Sequence, residues 1–93
     1  MKVRVKMEVA GRQIDETVTG TDATDILSQA KGRVARELGW KGLFLNAMPT
    51  LTFAQEGVRR YNAAFDTHYD LPQSAEDFFR WGQDLGYITI LPE

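Results

Sequence analysis

The sequence predicts a small α+β domain. The element order is β-β-α-α-α-β, with a three-stranded antiparallel sheet in strand order 2-1-3 and three helices packed on one of its faces. Three observations carry this reading. Val3, Val5, Met7 and Val9 alternate with Lys2, Arg4, Lys6 and Glu8, the two-residue period of a half-buried strand. Leu38-Gly39-Trp40 and Leu85-Gly86-Tyr87 repeat one device, a glycine stop with an aromatic that folds back on the last helical turn. The run Tyr87-Ile88-Thr89-Ile90-Leu91 is rich in β-branched residues and reads as a third strand.

The first two strands form a hairpin. Gly11-Arg12 suits a two-residue turn with glycine at its first central position. That register pairs Ala10 with Gln13, Val9 with Ile14 and Val5 with Val18, and it sets Glu16 on the apolar face opposite Met7. Gly20 ends the second strand. The first helix is expected over residues 22–38, capped by Thr21 or Asp22, with Ala23, Ile26, Leu27, Ala30, Val34 and Leu38 as its apolar stripe. Gly32, inside it, marks an expected close approach to the sheet.

Leu43-Phe44-Leu45 is too short to classify and stands between a buried loop and a brief strand. Pro49 precedes a second helix near residues 51–65, for which Thr50 or Thr52 is the expected cap and Thr52-x-x-Gln55 fits a capping box. Residues 66–73 are a polar loop. Ser74 caps the third helix, with Glu76 and Asp77 in its first turn and Ala75, Phe78, Phe79, Gly82 and Leu85 on its buried side. A hairpin alone is marginal in water, so the last strand is expected to join it beside the first, antiparallel.

Length and composition bound the rest. Ninety-three residues make one domain, spanning 1–93, around one modest core. Apolar residues are 43% and charged residues 26%, which argues against disorder and coiled coil. No apolar run reaches a membrane-spanning length, and the alternating start lacks the apolar segment of a signal peptide. There is no cysteine, hence no disulfide, thiolate metal site or cysteine nucleophile. A cytoplasmic protein is the simplest expectation. Net charge is −2 and is unevenly spread. Lys2, Arg4, Lys6 and Arg12 outweigh Glu8 in the first twelve residues, and Lys31, Arg33, Arg36 and Lys41 outweigh Glu37 in residues 31–41. Beyond residue 65, Asp66, Asp70, Glu76, Asp77, Asp84 and Glu93 face Arg80 alone. The whole lacks the basic excess of a nucleic-acid binder.

Asp66, His68 and Asp70 stand at spacings of two around the one histidine, an arrangement that suits a divalent metal or an oriented general base. The competing reading is a solvated turn before a helix. Ser28 lies within a helix and Ser74 serves as a cap, so a serine nucleophile has no place. No glycine-rich strand-to-helix loop offers a phosphate or cofactor cradle. Arg59-Arg60 reads as an exposed helix face before it reads as an anion clamp. On the outer sheet face, Lys2, Arg4 and Lys6 would lie beside Thr17, Thr19, Tyr87, Thr89 and Leu91, a surface for single-stranded nucleic acid or, more simply, a solvated face that resists edge aggregation. Tyr87 and Leu91, with Trp40 and Trp81 close by, would alternatively make an apolar patch for a protein partner or a second copy.

The leading expectation is a non-enzymatic protein-interaction or accessory module with no cofactor and no catalytic set, associating with itself or another protein and not with a membrane. Its candidate surface residues are Lys2, Arg4, Lys6, Tyr87, Leu91, Trp40 and Trp81. A small-ligand or metal-dependent enzyme centred on Asp66, His68 and Asp70 is the alternative, and a weak single-stranded nucleic-acid binder is the third.

Overall fold

In the computed structural model, which describes residues 1–9 and 11–92, the hairpin forms from Lys2–Val9 (β1) and Arg12–Thr19 (β2). Its register differs by two residues from the expected one. Val3 faces Val18, Val5 faces Glu16 and Met7 faces Ile14, so Val9 meets Arg12. Arg12 is thus paired in the strand and not part of the turn, and Gly11 before it has φ 78°. Ala10, and with it the expected Ala10–Gln13 pair, lies outside the described residues. The error has a physical origin. Shifting a strand by two residues leaves the same side chains on the same face, so hydrophobic alternation cannot separate the two registers. A positive-φ glycine also suits either central position of a short hairpin turn.

Ile88–Leu91 (β3) pairs antiparallel with β1, Val3 opposite Ile90 and Val5 opposite Ile88, which gives the order β2-β1-β3. The expected topology holds. One face carries Val3, Val5, Val18 and Ile88, all buried, and the helices cover it.

The helices are Ala23–Glu37 (α1), Gly42–Ala47 (α2), Thr50–Phe65 (α3) and Ala75–Asp84 (α4). The three long ones are those expected, and the stretch around Leu43-Leu45 is the short helix α2. Asp22 caps α1 by accepting a 2.8 Å bond from the Asp25 amide. Ser74 caps α4 by accepting from the Asp77 amide at 3.1 Å. For α3 the expected cap is corrected: Pro49 occupies that position and no side chain caps it. Proline fixes its own φ near the value that feeds a helix, and its carbonyl accepts the Phe53 amide at 3.0 Å. Gln55, freed from a capping box, donates from Nε2 to the Pro72 carbonyl at 2.9 Å.

The two glycine stops part company. At α4, Gly86 takes φ 85°, the Tyr87 amide donates to the Gly82 carbonyl at 2.8 Å, and the Gly86 amide donates to Gln83 at 3.1 Å. This is the doubly bonded helix end, and Tyr87 packs back on the core. Gly39 also takes a positive φ, 64°, but the chain runs on through a 3-10 turn, Gly39–Lys41, into α2. Trp40 therefore does not fold back and is 72% exposed.

One cluster of buried residues joins the layers, including Val3, Val5 and Ile88 of the sheet, Ile26 and Leu27 of α1, Val58 of α3, and Phe78 and Phe79 of α4. Beside it Tyr61, Phe65, Tyr69, Phe78, Trp81 and Tyr87 form an aromatic group with centroid separations from 4.5 to 6.3 Å. Burial, with a contribution from Tyr87, raises the Tyr61 pKa. The indole Nε1 of Trp81 is buried without a hydrogen-bond acceptor among the described residues. Gly32 meets nothing that a Cβ would touch, so the close approach expected there is absent.

Candidate functional site

The most exposed apolar surface arises where α1 hands over to α2. The left-handed Gly39 turns the chain, and Gly42 sets α2 against α1 so closely that a Cβ there would overlap the Ala35 carbonyl. The Lys31 ammonium donates to the Met48 carbonyl at 2.7 Å and ties the far end of α2 to the same helix. Gly42 is thus the close contact of α2 with α1, Leu45 is half-buried, and the two remaining large side chains stand in solvent. Leu43 is 69% and Phe44 73% exposed, beside the exposed Trp40. Leu51, at the start of α3, is also exposed.

Two aromatics that each carry 150–250 Å², mostly uncovered, and a leucine place roughly 300–500 Å² of apolar surface in water, the size of the largest patch on a typical monomer. The molecule exposes 6020 Å², against about 5,400 Å² expected for its mass. From Gly39 to Leu51 the chain contains no acidic residue, while Lys41 lies within the run and Arg36 in the last turn of α1.

The outer sheet face is different. Lys2, Arg4 and Lys6 are exposed there as expected, but Arg4 is engaged. Its Nε and Nη2 donate to the two Asp15 carboxylate oxygens at 2.9 and 2.8 Å. The bond to Arg4 holds the Asp15 carboxyl below its ordinary range, and the same bond raises Arg4. Tyr87 is not on this face: its ring packs against Tyr61 and Trp81 on the helical side. Strand alternation fails for it because β3 begins only at Ile88 and Tyr87 belongs to the helix stop. Leu91 is half-buried at the end of β3, and Trp81 lies within the aromatic group. The patch that was to combine Tyr87, Leu91, Trp40 and Trp81 is therefore not assembled, and Trp40 alone of the four belongs to the exposed surface at α2.

Residues 66–70 are organised from α3. Asp66 adopts φ 53° and ends that helix. Asn62 Oδ1 accepts from the Thr67 hydroxyl at 2.8 Å and the Tyr69 amide at 3.0 Å, while its Nδ2 donates to the Tyr69 carbonyl at 2.9 Å. Asp66, His68 and Asp70 are all exposed. Among the described residues no three His, Asp or Glu side chains gather in a metal-binding group, these three included. Arg59 pairs with Glu56 one turn earlier, and Arg60 is exposed. Ser28 is exposed on α1.

Sequence reasoning singled out Trp40 but missed Leu43 and Phe44. The available signal was an apolar Leu-Phe-Leu run beside two glycines in a stretch that neither neighbouring helix needed for its stripe. Among the described residues no helix is long and apolar enough to cross a membrane. No protein-family description, curated protein or solved structure matches this chain.

Proposed function

We propose that this chain is a non-enzymatic protein-interaction module that binds through the 3-10 turn and α2. One observation carries the reading: Trp40, Leu43 and Phe44, three large apolar side chains within five residues, are each about 70% exposed on a segment anchored to α1 at Gly42 and Met48. An exposed aromatic pair on a segment packed against the fold is the kind of anchor that dominates protein interfaces. The outer sheet face supports association less well, because Asp15 neutralises Arg4 and Tyr87 is turned away. The chain folds without disulfides, as a cytoplasmic setting requires.

The test is site-specific photocrosslinking in native extract. p-Benzoylphenylalanine at position 44 should yield discrete adducts, and the same probe at the exposed Gln13 should not. Adding Trp40→Ala to the position-44 probe should reduce the adducts at least tenfold, the loss expected for a central aromatic anchor at about 1.4 kcal/mol per factor of ten. Equal labelling at both positions, or none at 44, would defeat the reading.

A further inference from the structure

We infer that the occupant of the Trp40-Leu43-Phe44 surface is a second copy of this chain, docked head to tail. This rests on the interaction reading above and names the partner. The argument begins from a second exposed surface. Phe65 is 61% and Tyr69 43% exposed, and each is followed directly by an exposed aspartate, Asp66 and Asp70. Neither aspartate has an ionic partner among the described residues. The one lysine or arginine beyond position 65 is Arg80, which pairs with Asp77 at 3.4 Å.

The two surfaces are complementary in charge. The sequence from Gly39 to Leu51 holds Lys41 and no acid, and the exposed Arg36 just before it has no carboxylate partner among the described residues. The Phe65 side carries unpaired carboxylates. The first surface sits on the 3-10 turn and α2, and the second at the C-terminal end of α3 and in the loop that follows it. α2 packs on α1 and not along α3.

A symmetric dimer through the Trp40 surface would bring the exposed Arg36 of each copy to the same interface, which costs association energy. The head-to-tail contact sets it against Asp66 and Asp70 and covers both sets of exposed aromatics. Such a contact is heterologous and propagates into rings or open chains. The Asn62 bonds to Thr67 and Tyr69 hold the acidic aromatic loop in one shape before docking, which lowers the ordering cost.

The test is sedimentation velocity on the full chain from about 10 µM to about 1 mM, the range in which a modest contact of this size should show. The weight-average sedimentation coefficient should rise with concentration, and the rise should collapse in about 0.5 M NaCl, where the screening length is only a few ångströms. Phe44→Glu should be monomeric. So should the pair Asp66→Asn with Asp70→Lys, in which asparagine keeps the left-handed backbone; Phe65→Ser is a second variant of the same surface. An equimolar mixture of Phe44→Glu with either tail variant should form a one-to-one dimer and nothing larger, since each supplies the surface the other lacks. Circular dichroism matching the parent verifies that each variant is folded. Monomeric behaviour of the parent throughout, unimpaired association of both tail variants, or a mixture that stays monomeric would overturn the inference. If position 44 still crosslinks to a different protein while the parent is monomeric, the interaction reading stands and the second-copy assignment falls. Monomers without crosslinks would end both.

Discussion

Gly42 and Ala35 meet backbone to backbone where α2 crosses α1, and a Cβ on Gly42 would coincide with the Ala35 carbonyl oxygen. The obstacle is main chain, which cannot rotate aside as a side chain can. Gly42→Ala must therefore push α2 away from α1, at a cost of about 2–3 kcal/mol for an overpacked contact. Gly32→Ala, ten residues earlier and facing open space, should instead stabilise by about 1 kcal/mol through helix propensity. Urea unfolding midpoints of the two variants should move in opposite directions. Equal shifts would mean that the α1–α2 contact is not close.

Gly82 and Ile88 provide a contact of the same kind with a softer wall. A Cβ on Gly82 would stand 2.5 Å from Ile88 Cδ1 and 2.9 Å from its Cγ1. Gly82→Ala should cost about 1–3 kcal/mol by overpacking. Ile88→Val deletes the nearer atom, and alone it should cost about 1 kcal/mol. The double variant should be more stable than the two single losses predict when added, by at least about 0.5 kcal/mol, the coupling expected of residues in contact. Simple additivity in thermal or chemical unfolding would count against the geometry.

The places where the sequence was legible follow from what periodicity encodes. Alternation through Val3, Val5 and Met7 and the stripes through Ile26, Leu27 and Val58 identify buried faces directly, because burial is what the pattern records. Asp22 and Ser74 are legible because a capping side chain acts within its own turn. Register was not, since a two-residue slip changes no face. Nor was Glu16. It remains on the apolar face, at an edge strand, where its carboxylate pairs with Arg33 of α1; that partner lies seventeen residues away and no local pattern announces it. The exposed Leu43 and Phe44 were hidden for the complementary reason. A short helix held by a close glycine contact and the Lys31–Met48 bond needs no stripe of its own, so its apolar residues break the rule that usually makes them readable.

Asn62 holds the 66–70 loop, and its loss should be felt there first. Its side chain makes three hydrogen bonds to Thr67 and Tyr69. Asn62→Ala removes all three and leaves the Tyr69 amide and carbonyl to water. Global stability should fall by about 1–2 kcal/mol, since these groups are partly exposed and recover some bonding to solvent. The amides of Thr67 through Asp70 should exchange much faster than in the parent while those of α1 keep their protection. Uniform acceleration across all helices would show that Asn62 acts on the whole fold.

Arg4 and Asp15 tie β1 to β2 across the exposed sheet face and should give the hairpin a readable acid limb. The bond to Arg4 lowers the folded-state pKa of Asp15 beneath its ordinary value of 3.8. The unfolded chain then takes up the proton first as pH falls. The stabilisation is complete above the unfolded value and is lost progressively as pH drops through the lower, folded one. Both groups are about half exposed, so the effect is small and should shrink further in high salt. Other carboxylates titrate in the same range, so total stability is not the readout. The difference between the parent and Asp15→Asn is, because it cancels their shared acid loss. That difference should be constant above about pH 5 and should close below about pH 4. Thermal unfolding at matched pH measures it. A gap that persists undiminished to about pH 2 would mean that the carboxylate charge contributes nothing and that Asp15 acts through shape alone.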